Sequence, residues 1–217
     1  MPQDRCKDER VEDVQLRDLA DRWPLPGPDA RALRDRLLDA YADPSRGYHD
    51  LTHLAEVLTH IDDLATTETD LDVVLLLAAW FHDAVYDEQG HREERSAALA
   101  ETELTSAGLD TAVVAEVARL IRLTATHQPD DDDRRGQVLC DADLAILAAD
   151  AERYAVYVAG VRKDFAHVEE AVFWWGRAAV LTELASRPTL FHTERGRQLW
   201  EATARANLAR ELAELEG

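Results

Sequence analysis

Apolar residues recur every three or four positions along most of the chain, and no stretch alternates apolar and polar residues for long. Residues three and four apart share a helix face, whereas strands alternate, so the pattern predicts an all-α fold with no β-sheet. Ala, Leu, Glu and Arg dominate, and all four are strong helix formers. Helices are predicted over about 11–23, 28–41, 48 or 50 to 65, 71–85, 92–106, 110–126, 141–165, 167–186 and 195–215. Trp23-Pro24-Leu25-Pro26-Gly27-Pro28 ends the first, Pro28 suits the first turn of the second, and Asp43-Pro44 ends that one. The fourth, through Val73-Val74-Leu75-Leu76-Leu77-Ala78-Ala79-Trp80-Phe81, is apolar on nearly every face and is therefore expected at the centre of the core. Short connections between so many helices predict one bundle-like domain over residues 1–217, with a core at about 28–165 and C-terminal helices at about 167–215 packed on it.

Composition narrows the function classes. With 217 residues, 46% of them hydrophobic, the chain can bury a substantial core. Lys+Arg total 24 against 44 Asp+Glu, a formal net charge of −20, which excludes general binding to nucleic acid because neutralising phosphates takes clustered cations. A small phosphorylated substrate stays admissible, since a bound metal supplies local positive charge. Cys6 and Cys140 cannot form a disulfide framework, and their spacing is no zinc pattern. The first ten residues are charged, and the longest apolar run, Val73–Phe81, is too short to span a bilayer, so no signal peptide, no membrane partner and a reducing cytoplasm are expected.

Candidate chemistry begins with His82-Asp83 at the end of the most apolar helix, where an ionisable pair is costly unless it is paired or ligates a metal. The same pair reads equally as a hydrogen-bonded core histidine followed by a loop aspartate. In Tyr48-His49-Asp50-Leu51-Thr52-His53, His49 and His53 are four apart and would share one helix face. Both can ligate a metal, or one can ligate while the other does acid/base work; two surface histidines are the plainer reading. His60 continues that stripe among Thr59, Asp62 and Asp63 and is expected to be solvated. In Cys140-Asp141-Ala142-Asp143, two carboxylates enter an apolar helix; Asp141 is a plausible N-cap and Asp143 the better ligand, with both left open. Imidazole and carboxylate together suit hard and borderline divalent metals, and two His with two Asp leave room for a water of lowered pKa.

In order and separation, His53, His82-Asp83 and Asp143 resemble the motif of the HD superfamily of metal-dependent phosphohydrolases, all-α domains in which a His, a His-Asp pair and a distal Asp sit on different helices. The segment from Tyr48 and His49 through His53 to Leu54-Ala55-Glu56-Val57 also resembles the tyrosine-histidine motif of the related cyclic-nucleotide phosphodiesterases, except that Asp50 stands where that motif has asparagine. The resemblance implies His53, His82, Asp83 and Asp143 as ligands of a divalent metal (Mn, Fe, Co, Ni, Mg or Zn), Asp83 beside the attacking water, and His49 as the acid for the leaving oxygen. It also favours Asp143 over Asp141. Glu93-Glu94-Arg95-Ser96-Ala97, Leu120–His127 and Trp200–Leu208 look like a small branch of the superfamily, extending the resemblance over about residues 28–215.

The implied activity is hydrolysis of a phosphomonoester or phosphodiester of a small molecule, a nucleotide being the expected kind. A di-iron oxygenase with extra ligands from Glu94, His91 or His127, and a non-catalytic module that senses a nucleotide, are the rivals. His91 reads as a surface residue, while His127 reads equally as a helix-end histidine or a second-metal ligand. Arg46, Arg162 and Arg177 are candidates for holding phosphate, although ion pairing is the commoner role for each in so acidic a chain. Trp174 and Trp175 are expected to pack in the core, and Asp130–Asp133 to form a solvated loop, since it lacks the ligand spacing of an EF-hand. A second copy of the chain is a further candidate partner.

Overall fold

Aspartates start five of the helices among the described residues. Asp50, Asp72, Asp110, Asp133 and Asp150 each accept backbone N–H groups at the first turn of a helix, satisfying orphan donors and placing negative charge at the positive end of the dipole. Part of the chain's acidity is thus helix-capping chemistry.

The computed structural model describes residues 16–65 and 72–216. Cys6, the charged N-terminus, and the starts of the first and fourth expected helices (11–15 and 71) lie outside them. A helical segment over 16–21 (α1) leads into α2 (Pro28–Tyr41), α3 (Leu51–Leu64), α4 (Val73–Phe81), α5 (Arg92–Ser106), α6 (Thr111–Leu123) and α7 (Arg134–Leu144). A 3-10 turn, Ala145–Ala148, separates α7 from α8 (Ala151–Asp164), and α9 (Glu170–Ser186) follows. The last helix, α10, begins at Glu194–Gly196, passes through a π-helical stretch Arg197–Glu201 and continues over Ala202–Glu216. Among the described residues every regular element is helical, and no strand forms.

The predicted helices match to within about four residues at each end except around residue 141, and the fourth stops at Phe81 where the pattern carries it to about 85. Where the pattern predicts one helix over 141–165, α7 starts seven residues earlier at Arg134, and the chain breaks between Ala148 and Ala151. Asp133 and Asp150 cap the two pieces; with no Gly or Pro at the break, the Ala-rich stretch reads as continuous. The third helix starts at Leu51, so His49 precedes it instead of sharing its face with His53.

The core has two parts. The larger gathers α1 to α7 around α4, whose Leu75, Leu77, Ala78, Ala79, Trp80 and Phe81 are almost fully buried. The smaller holds Tyr48, the 3-10 turn and the inner faces of α8, α9 and α10; Trp200 packs against both. His60 is half-buried with its ring against Trp200, 5.2 Å between centroids, so it is not the solvated residue expected. Trp174 packs on the smaller core as expected, whereas Trp175 is 77% exposed.

Candidate metal centre

α4 ends at Phe81, and the next two residues turn His82 and Asp83 away from the helix axis. Arg46 holds this turn in place. Its Nη1 donates to the carbonyls of His49 (2.7 Å) and Asp83 (2.9 Å), and Nη2 donates to that of Ala84 (3.1 Å). A cation buried against carbonyls at a helix C-terminus is favoured by the dipole, and these bonds tie the His49 loop to the His-Asp pair. The Asp83 N–H donates to Tyr41 Oη at 3.2 Å.

His53 comes in from α3, whose first turn is fixed by the Asp50 cap on the N–H groups of Thr52 and His53. The acidic residue at position 50 therefore has a local structural use. His53 Nδ1 lies 3.0 Å from Tyr48 Oη, and His82 Nδ1 lies 2.8 Å from the Ala79 carbonyl. The Ala79 contact makes Nδ1 of His82 the N–H donor and leaves Nε2 a lone pair in the neutral ring. The third element is the end of α7, which carries Asp143.

These side chains converge. His53 Nε2 and His82 Nε2 are 3.0 Å apart. Asp83 Oδ2 is 3.3 Å from each, and Asp143 Oδ1 is 3.3 Å from His53 Nε2 and 3.6 Å from His82 Nε2. Both imidazoles are 1% exposed. The ligand atoms of His53, His82 and Asp143 all lie within 4.8 Å of one another, so the group can hold a metal ion. Metal–ligand bonds of about 2.0–2.2 Å leave neighbouring ligand atoms roughly 3–4 Å apart, the range seen here.

The electrostatics point the same way. Burial would push both imidazoles down, but Asp143 and Asp83 outweigh it and hold His53 above, and His82 well above, the ordinary histidine range. Burial would push the carboxyls up. For Asp83 the charge on His82 outweighs it, and for Asp143 hydrogen bonds from His127, His53 and His82 do; both sit well below the ordinary range. Two lone-pair nitrogens and two carboxylates in one buried site are stable only with positive charge between them, carried by protons or by a cation. The donor set fits a divalent metal of the hard or borderline kind.

The other candidates separate cleanly. Asp141 is fully buried but faces elsewhere: Oδ1 accepts His192 N–H (2.7 Å), and Oδ2 accepts Thr193 N–H (2.8 Å) and Thr193 Oγ1–H (2.7 Å). It is not an N-cap, because α7 begins at Arg134. His127 reaches the cluster, with Nε2 2.8 Å from Asp143 Oδ2. Its backbone is left-handed (φ 51°), and its carbonyl lies 3.0 Å from His192 Nε2. Glu94 is exposed and paired with Arg122 at 2.7 Å, and His91 is exposed at the start of α5. Arg162 donates to the Phe165 and Val168 carbonyls. Arg177 is buried and forked onto Glu211.

His49 Nδ1 is 2.8 Å from Asp164 Oδ2, and its ring stacks on Tyr86 at 4.3 Å between centroids. Asp164 was invisible to pattern reading. It ends α8 among polar residues, and only the packing of the 47–49 loop on that helix brings it to His49. Gly47 allows that approach: a Cβ there would lie 2.0 Å from the Gly160 carbonyl oxygen. Glu93, Arg92 and Tyr86 were also missed. With His49, Asp83, His127 and Asp143 they line a cavity of about 540 Å³ over the cluster, which Phe165 and α9 also line. The sequence reading singled out Glu94, one position away and on the outer face of α5.

No protein-family model, no curated protein and no solved structure matches the chain. The assignment of a function therefore rests on this geometry.

Proposed function

We propose that the protein is a metal-dependent phosphohydrolase of the HD type, acting on a phosphomonoester or phosphodiester of a small molecule. The observation that carries this reading is the meeting of His53, His82, Asp83 and Asp143, from α3, α7 and the turn that ends α4, at the base of an open cleft. In this reading those four residues hold a divalent cation. When bound, such a cation supplies Lewis acidity and lowers the pKa of water at the centre.

The chain's own residues supply the remaining functions. Asp83, in the cluster and on the cleft wall, orients the attacking water and accepts its proton. As the phosphorus–oxygen bond to the leaving group breaks, His49 donates a proton to the departing alkoxide. The Asp164 carboxylate on Nδ1 fixes the His49 ring, leaving Nε2 for that transfer. Tyr48 Oη, 3.0 Å from His53 Nδ1, orients that ring with its Nε2 toward the cluster.

The His127 contact with Asp143 favours one wider reading, the di-iron oxygenase. That reading needs about two further ligands, and of Glu94, His91 and His127 only His127 reaches the cluster. The single-metal hydrolase is accordingly preferred. The test is to purify the protein from metal-rich medium and measure bound metal. Generic phosphoesters and nucleotides are then assayed with Mn2+, Co2+, Ni2+, Fe2+, Zn2+ or Mg2+. Stoichiometric metal and hydrolysis that both disappear in His82→Ala are expected. A wild-type protein without metal, unaltered by that substitution, would overturn the reading.

A further inference from the structure

α9 carries a glycine in its interior, where glycine costs about 1 kcal/mol relative to alanine. Tight packing does not account for it. A Cβ built at Gly176 meets no atom within 4 Å, in contrast to Gly47, and Gly176 has no positive φ. Gly176 instead lines the cleft over the cluster, together with Val172, Phe173 and Val180 of the same helix. Val172 and Val180 are 57% and 53% exposed, so this wall leaves apolar surface in water. Phe165, Val161 and Val168 extend the wall from α8 and the following loop.

Apart from His49, Asp83, His127 and Asp143 at the cluster, the charged groups of the cleft are Arg92, Glu93 and Arg177. Arg177 is committed to Glu211 and Tyr157. Arg92 lies 3.9 Å over the Tyr86 ring and donates Nε–H to the Asp87 carbonyl; neither of its Nη groups has a hydrogen-bond partner among the described residues. Glu93 adds a negative charge beside it. The two Nη groups of this one guanidinium suit one phosphate group, whereas the chain of phosphates in a nucleoside triphosphate would face Glu93 and an apolar wall.

We infer that the cleft takes a ligand with a single phosphate group on a hydrocarbon body, alkyl or aromatic, lying along α9 over Gly176. Which end faces the cluster rests on the metal-centre reading above. The hydrocarbon supplies binding energy through burial, and the absent side chain at 176 supplies the room.

The probes are n-alkyl phosphonates from methyl to octyl, which are not hydrolysed, titrated calorimetrically into metal-loaded protein. Each buried methylene contributes about 0.8 kcal/mol, so Kd should fall about fourfold per carbon until the cleft is filled. Gly176→Leu places a side chain in open space. It should keep its metal, bind methyl phosphonate within about twofold of wild type and weaken octyl phosphonate tenfold or more. The alkyl series on the wild type decides the matter even if that variant folds poorly. A Kd independent of chain length, no phosphonate binding, or tighter binding of ATP than of octyl phosphonate overturns the inference. Hydrolysis of p-nitrophenyl phosphate is scored separately. If it is hydrolysed while the alkyl series is flat, the cleft assignment falls and the phosphohydrolase stands. A clear chain-length trend without hydrolysis has the opposite meaning.

Discussion

Two carboxylates two residues apart on a helix point about 200° from each other, so Asp141 and Asp143 cannot serve one site. The sequence left the choice open, and the capping argument used to weigh it had the wrong basis, because α7 is two turns into its course by residue 141. What occupies Asp141 is a pair of N–H groups and a hydroxyl some fifty residues ahead, at His192 and Thr193, and no local pattern announces such partners. Asp141→Asn should therefore keep the metal and lower stability by about 1–3 kcal/mol, the cost of impairing bonds to a buried charged group. Asp143→Asn should weaken metal binding at least tenfold with little change in the fold. Metal analysis beside thermal melting separates the two, and loss of metal from folded Asp141→Asn would contradict the assignment. His82 and Asp83 were readable because they end the most apolar run of the chain, and His53 because it stands four residues after His49 in a segment that resembles a known motif. Asp164, Glu93 and Arg92 sit in ordinary polar surroundings and acquire their positions only from packing.

Helix ends were legible at Pro28, Asp110 and Asp43-Pro44, where a capping residue or a proline stands beside a clear change of pattern. They were not legible at residues 145–150, where a sequence of good helix formers breaks because the chain must turn to bring α8 under the 47–49 loop. That contact is made through Gly47 and Gly160, and it delivers His49 to Asp164. At Gly47 a methyl group would strike the Gly160 carbonyl. Gly47→Ala should accordingly cost about 1–3 kcal/mol as overpacking, a fall of several degrees in Tm for a chain of this size. It should also lower turnover more than metal content, since it moves His49 and leaves the cluster's helices alone. At Gly160 an added Cβ would meet Tyr48 Cβ at 3.0 Å and the Gly47 backbone at 3.1 Å, contacts that a shift of a few tenths of an ångström relieves, and alanine gains helix propensity. Gly160→Ala should thus be much milder. Equal losses from both substitutions would argue against the close approach as the reason for Gly47.

At the scale of the whole molecule, α8, α9 and α10 are joined by a buried charge. Arg177 donates two hydrogen bonds to Glu211 and a third to Tyr157 Oη, and Tyr154 Oη–H donates to the same carboxylate at 2.6 Å. The pair is 8% and 6% exposed at its side chains, so Glu211→Ala strands a buried guanidinium and should cost about 3–5 kcal/mol. Replacing both partners, Arg177→Met with Glu211→Leu, should recover most of that loss in denaturant melts. A double variant as unstable as the single would mean the pair itself carries the stability. Neither residue betrayed the other in the sequence, where Arg177 was a candidate for phosphate.

The formal charge of −20 acts over the molecule as a whole, and its effect on ligand capture can be separated from that of the cluster. Close contacts within the cleft are weakly screened by salt, whereas the field of the distributed acids is strongly screened. Raising NaCl from about 0.02 to about 0.3 M shortens the Debye length from roughly 20 Å to about 6 Å. An anionic ligand approaching an acidic surface should then meet less repulsion. The association rate of octyl phosphonate with metal-loaded protein should rise several-fold over that range, with its dissociation rate nearly constant. The same screening should raise Tm, because self-repulsion opposes the compact state. Stopped-flow mixing and thermal melts across the salt series check both. An association rate that falls with salt would mean that Arg92 and the cluster, not the acidic surface, set the field a ligand meets on its way in.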